Sequence, residues 1–396
     1  MMVYHEKLSP DEELLLLTVK DGRSSTEFSR IRALYRQVGD EALFQSATDN
    51  KVVPMVAHGL MDAFPEGDIP SQWVASHQQA LEKVDGFFIE LDRLALVLAR
   101  HGVPVVVIEN GGIARDVYPC HGCFASSDIE ILVDKQQLPV IDSVLDAEGY
   151  DPHSRERCAS EDSQQWDRET KGWDNYCKTL AGNVIFWLNI QWLPVLRRWL
   201  PMEKGLTAAA LISRSIPVSD TTSSVRILSP EDNLLLCALH IASHSYVRGI
   251  GLRLQLDIDR LVRRVPIDWD LFLGRVQRHQ ATALVFPSLA IPQGIFGTPV
   301  PEWVVQALVS SESRRRRILK MIARASVFNR RAHKFRPVQL VALEWALSDE
   351  GVIGGFRRIF FPSLSWIHEG YSHRRNRMAA FYYFDRLVRL SQRRYA

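Results

Sequence analysis

Residues 124–134 read FASSDIEILVD, with two carboxylates, Asp128 and Glu130, one residue apart in an otherwise apolar run. Alternate side chains of a strand share a face. The spacing therefore predicts Asp128 beside Glu130, with Ile129, Ile131 and Val133 filling the opposite face. Two acids so placed repel each other unless water or a cation lies between them. Upstream, the run Pro104–Ile108 is β-branched and is followed by Asn110-Gly111-Gly112. That pattern predicts a buried strand and then a tight turn. A glycine turn lets backbone N–H groups come close to a phosphate, and adjacent carboxylates suit Mg²⁺.

Other groups could also do chemistry. His240 and His244 lie at i, i+4 and share a helix face, with Asp257 on the next helix. Such a set could ligate zinc or iron, touch a substrate, or form a buried hydrogen-bond cluster joining a helical region to the core. The cluster is the expected role. Cys120-His121-Gly122-Cys123 is a C-x-x-C without a second such pair. It could be redox-active or half of a zinc site with Cys158 and Cys177 as further ligands, and reads best as a reduced surface loop. Trp187, Trp192 and Trp199 could stack on a base, but read better as core.

Several elements must position these groups. Residues 9–100 read as helices, opened by Ser9-Pro10-Asp11-Glu12, a capping hydroxyl with proline at the first position. The longest, 71–101, carries apolar residues at 3–4 spacing and stops at Gly102. Strands follow at 104–108 and 127–133, with a short helix over 113–118 between them and another helix over 135–148. Residues 174–192 read as a hairpin turning at Ala181-Gly182-Asn183, and 225–228 as a further strand. From Ser229 the pattern is helical, with helices near 252–264, 268–279, 281–294, 302–309, 312–331 and 377–393.

Hydrophobic content of 46% and charged content of 24% fit a globular chain, and 396 residues exceed one ordinary core. No apolar run reaches membrane-spanning length, and the acidic N-terminus lacks the basic start of a secretory signal. Five cysteines, an odd number, suggest a reducing cytoplasm. After residue 300, 19 Lys/Arg stand against 7 Asp/Glu, a net of +12, leaving −10 for the first 300 residues. Four arginines, 314–317, are consecutive. Such a bias could draw nucleic acid, yet interspersed apolar residues favour exposed faces of packed helices.

The ordered set VPVVVIENGGIARDVYP, SSDIEILVDKQQ and LDAEGYD resembles the uncharacterised nucleotidyltransferase family of the polymerase-β-like superfamily. So do LSPEDNLLLCALHIASH, LQLDIDRLV, IDWDLFL and FFPSLSWI further on, so the likeness runs from about residue 9 onward. The resemblance implies an α+β fold: a small mixed-sheet core over 103–228, flanked by an N-terminal helical region (1–102) and an Arg-rich C-terminal one (229–396). It implies Mg²⁺ held by Asp128 and Glu130, with Asn189 as a weak third ligand, and a nucleotide held by Gly111, Gly112 and Ser127. His240, His244 and Asp257 would support the site from behind. The chain departs from the family at Glu109-Asn110, where the family has Lys-Gly, and at Phe124, where it has Arg. Glu130 replaces an aspartate, and Asn189-Ile190-Gln191-Trp192 stands where the family carries a His-Trp pair and an acid. The implied activity is transfer of a nucleotidyl group from an NTP, ATP foremost, to a small-molecule, peptide or protein acceptor. Genes of this family often lie near peptide natural-product or polysaccharide clusters, which implies a biosynthetic role. The departures set a second expectation beside it: a binding or scaffold protein on the same fold.

Overall fold

Among the described residues, five helices precede the first strand: α1 (Pro10–Val19), α2 (Ser25–Val38), α3 (Asp40–Asp49), α4 (Val53–Ala63) and α5 (Ser71–Arg100). Local chemistry sets their starts. Glu12 bonds back to the Ser9 amide at 3.0 Å, and Glu27 to the Ser24 amide at 2.8 Å. Both are capping boxes that satisfy amides the helix cannot. The long α5 buries Trp73, Val84, Phe87, Leu91, Leu94 and Leu98, and the chain leaves it through Gly102 at φ 74°. The computed structural model describes residues 8–118, 120–124, 127–152, 172–194, 206–219, 222–248 and 251–323, with shorter stretches beyond, chiefly within 342–349 and 379–391.

The strands β1 (Val105–Ile108), β2 (Ile129–Leu132), β3 (Asp151–Pro152), β4 (Trp173–Thr179), β5 (Ile185–Gln191), β6 (Ile216–Pro217) and β7 (Val225–Ile227) form one sheet, ordered β3-β4-β5-β2-β1-β7-β6. β1 runs antiparallel to β2 and parallel to β7, and β2 runs parallel to β5. The sheet is therefore mixed, as the sequence led us to expect. The position of β1 explains why its residues are apolar throughout. Val105 and Val107 enter the main core, while Val106 and Ile108 enter a second core with Leu132, Leu211 and Leu236. A strand covered on both faces has no place for a polar residue.

Among the described residues the remaining helices are α6 (Glu109–Asp116), α7 (Leu138–Ala147), α8 (Ala208–Arg214), α9 (Pro230–Arg248), α10 (Leu252–Arg264), α11 (Trp269–Arg278), α12 (Thr282–Phe296), α13 (Glu302–Leu308), α14 (Glu312–Ala323) and α15 (Ala379–Ser391). The hairpin turn falls at Ala181–Asn183 as expected, with Gly182 at φ 73° and Asn183 at φ 59°. Among the described residues no helix is long and apolar enough to cross a membrane.

Three details differ from the sequence reading. Asn110-Gly111-Gly112 is not a turn after the strand: β1 runs straight into α6, and the glycines belong to the first turn of that helix. The bend sits at Glu109, at φ 50°. Strand β2 is shorter than 127–133 and leaves Ser127 and Asp128 just before it. The short β3 and β6 and the helix α8 had no counterpart in the reading, because two-residue strands carry no periodicity.

The arginines of α14 act mostly on the fold. Arg314 donates to the carbonyls of Ala346 and Ser348, at 3.1 and 2.9 Å. Arg315 reaches the Val309 carbonyl at 2.7 Å, just past α13, and Arg316 pairs with Glu312. The side chains of Arg386 and Arg389, and residues 374, 375, 377, 393 and 394, lie outside the described residues.

Candidate active site

The β1–α6 junction, the start of β2 and the helices α9 and α10 converge at one place. Register explains the convergence. Ile108 pairs with Glu130 across β1 and β2, so Glu109, the next residue, enters α6 beside Glu130. Glu130 in turn pairs with Asn189 of β5, and Asn189 with Asn175 of β4. Ile129, Ile131 and Val133 fill the main core, the opposite face, as the alternation required.

Glu130 is 8% exposed and shares a hydrogen bond with Glu109. Burial, then the charges of Glu109 and Asp128, push its carboxyl well above the usual carboxylate range. Burial likewise raises Glu109, against the opposing influence of the bond to Glu130 and the Arg253 charge. Beyond this carboxyl–carboxyl contact, Glu130 Oε2 meets no hydrogen-bond partner among the described residues. Asn189 Nδ2 donates to Asn175 Oδ1 at 2.7 Å, and Asn189 Oδ1 is also buried without a partner. Asp128 is half-exposed and accepts from Ser127 Oγ at 3.0 Å. Three carboxylates and a buried amide oxygen without a donor form a hard-oxygen set that fits Mg²⁺.

Gly111 and Gly112 serve packing. A Cβ on Gly111 would lie 2.6 Å from Val107 Cγ1, and one on Gly112 would lie 3.0 Å from the Val107 carbonyl oxygen. Only glycine lets α6 press this closely on β1. Gly111 still lies among the leading residues of α6, whose amides find no acceptor within the helix. The amide of Gly112, by position, belongs to the first intrahelical bond.

Behind the carboxylates, His240 Nδ1 lies 2.5 Å from Glu109 Oε2. Burial lowers the imidazole from its usual range. Glu109, Cys237, His240, Leu254 and Asp257 line a narrow cavity there. Asp257 accepts from the Tyr118 hydroxyl at 2.6 Å and is raised by burial. Two of the three supporting residues therefore reach this region; the side chain of His244 lies outside the described residues. Trp192 is 4% exposed, a core residue, whereas Trp199 and Cys158 lie outside the described residues.

Sequence reasoning missed three groups. Glu109, read only as a departure from the family, is a third carboxylate of the cluster. Arg253 on α10 places its guanidinium 5.5 Å from the centre of the Phe124 ring and 3.8 Å from Asp257. It brings a cation beside Phe124. Lys83 on α5 is depressed by burial, partly offset by the charge of Asp128. The signal for Glu109 was legible: a charged residue directly after four buried ones. Arg253 and Lys83, more than a hundred residues apart in sequence, had none.

A mixed sheet with a glycine-bearing helix after an interior strand, and acids where the neighbouring strand begins, defines a nucleotidyltransferase-like α+β protein. The chain belongs to the uncharacterised nucleotidyltransferase family, whose model matches residues 36–297. Nucleotidyl transfer is accordingly its general class of function. No curated protein matches the chain.

Proposed function

We propose that the protein transfers a nucleotidyl group from an NTP, ATP foremost, to a small-molecule, peptide or protein acceptor in a Mg²⁺-dependent reaction. One observation carries this reading: Asp128, Glu130 and Glu109 meet at one strand end, beside carboxylate and amide oxygens that no donor satisfies. Asp128, Glu130 and Glu109 would hold the metal, with Asn189 Oδ1 beside them. When bound, Mg²⁺ supplies the positive charge that lets a triphosphate approach three acids and polarises its phosphorus. Gly111, in the first turn of α6, offers a backbone amide to phosphate, and Ser127 keeps Asp128 oriented. His240 Nδ1, 2.5 Å from Glu109 Oε2, holds that carboxyl in place beside Glu130. Arg253 and Lys83 supply the positive charge that positions 109 and 124 lack.

A second reading, a binding or scaffold protein for a peptide, nucleotide or partner enzyme, is favoured by Glu109 itself, an acid in the first turn of the helix where phosphate would sit. Incubation with α-labelled NTPs and cell extract separates the two. Transfer of label to an acceptor, lost in Asp128→Ala, supports the enzyme. Mg²⁺-independent binding without transfer supports the scaffold.

A further inference from the structure

The C-x-x-C loop does not stand alone in the fold. His58, on α4, and His77, on α5, come together with Cys120 and Cys123, and one ligand atom from each lies within 4.8 Å of all the others. Cys120 Sγ lies 3.3 Å from His77 Nε2, and the two imidazole rings are 5.4 Å apart centre to centre. A tetrahedral zinc ion with two nitrogen and two sulfur ligands spaces its ligand atoms by about 3.3–3.8 Å, from bond lengths of ~2.0–2.3 Å. The cluster is thus one small contraction from that geometry.

We propose that His58, His77, Cys120 and Cys123 form a structural zinc site that clips the loop after α6 onto the α4–α5 hairpin. Four protein ligands leave no open position, so the site is structural and not catalytic. The surroundings support it. A Cβ at Gly122 would lie 2.6 Å from His77 Nε2, so the loop closes round that imidazole. Asp62 Oδ2 lies 3.5 Å from His58 Nδ1 and is itself paired with Arg23. A carboxylate on one ring nitrogen leaves the other, Nε2, to face the metal, as in many zinc sites. Next to the cluster, His121 bonds Asp85 of α5 at 2.7 Å, a second tie between loop and helix. The sequence separates these ligands by 18 residues, then 42, then two, so the set has no linear motif.

The location gives the site a purpose. From Cys123 the chain passes through Phe124, which packs against Tyr118 at 5.2 Å between ring centres, and reaches Asp128. A zinc clip at 120–123 holds the segment that delivers this carboxylate to the cleft.

The full chain, purified without chelator, desalted and analysed by inductively coupled plasma mass spectrometry, should carry about one zinc per molecule. Asp128→Ala should retain it, which separates this site from the carboxylate cleft, and the double variant Cys120→Ser, Cys123→Ser should lose it. Stripping zinc from the wild type should lower its melting temperature by on the order of 5–10 °C, with recovery on adding back ZnCl₂. If the double variant fails to fold, cobalt decides: Co²⁺ added to the stripped wild type should give thiolate-to-metal charge-transfer absorption and tetrahedral d–d bands. A wild type without zinc whose stripped form gives no thiolate–cobalt band overturns the proposal. So does zinc retained in full by a folded double variant.

Discussion

Asp128 and Glu130 sit close in sequence but in different environments. Glu130 is buried beside a second acid, and Asp128 is half-exposed. A carboxyl raised by burial binds protons more readily in the folded state than in the unfolded one. Its contribution to stability is therefore present at low pH and is lost as pH rises through the folded value. Metal-free wild type should lose melting temperature relative to Glu130→Gln as pH rises from about 5 to about 8, and Mg²⁺ should remove that difference for the wild type alone. Differential scanning fluorimetry of both proteins over this range, with and without MgCl₂, measures it; parallel curves would count against a charged buried cluster. Ligand should act through the same atoms. Mg-ATP at a hundred times its Kd stabilises the wild type by about 2.7 kcal/mol, and Asp128→Ala should abolish the shift. Arg253→Ala and Lys83→Ala should each weaken Mg-ATP binding about tenfold, through the loss of a charge-assisted contact, as read by calorimetric titration.

Elements meet here through small clearances and shared acids. α6 approaches β1 so closely that Gly111→Ala must displace Val107, a stiff β-branched side chain. Overpacking of this kind costs about 1–3 kcal/mol, so urea unfolding of that variant should show a lower midpoint at unchanged slope. Elsewhere on α5, Glu90 joins Arg93, Lys178 of β4 and the Tyr150 hydroxyl, at 2.7, 2.9 and 2.8 Å. Burial alone would raise this carboxyl, yet the three bonds hold it at about 2. A depressed acid stabilises the fold above its unfolded value, and that stability is lost as pH falls toward the folded one. Glu90→Gln should cost about 2–4 kcal/mol at neutral pH and less at acid pH, which chemical denaturation at the two pH values distinguishes.

Across the whole molecule, one continuous core runs from Leu14 through the sheet to Leu347, so the helical regions and the sheet share buried surface. Arg260 of α10 shows how distant segments lock together. It is 3% exposed, stacks 4.2 Å from the centre of the Tyr118 ring, and donates to the Val19 carbonyl at the end of α1 at 3.1 Å. Arg264 pairs with Asp21 at 2.9 Å, and Arg260 lies 3.7 Å from the same carboxylate. Arg260→Ala removes a buried cation that bridges both ends of the fold. It should lower stability by about 3 kcal/mol and expose the α1–α10 junction to limited proteolysis before the sheet.

Much of the site was legible in the linear chain, because local rules govern it. Strand alternation placed Glu130 opposite Ile129 and Ile131, apolar runs marked an interior strand, and capping residues marked the helix starts. The glycine pair was noticed but read as a turn: a Gly-Gly after a strand looks the same whether it turns the backbone or lets a helix press on the sheet, and only the position of Val107 distinguishes the two. Tertiary structure alone decided the rest. Glu109 joined the carboxylates through strand register, Arg253 came to Phe124 through the packing of α10, and two histidines reached the cysteine loop through the α4–α5 hairpin. Contacts between residues tens to hundreds of positions apart follow from how faces are buried together, and no spacing rule along the chain encodes that.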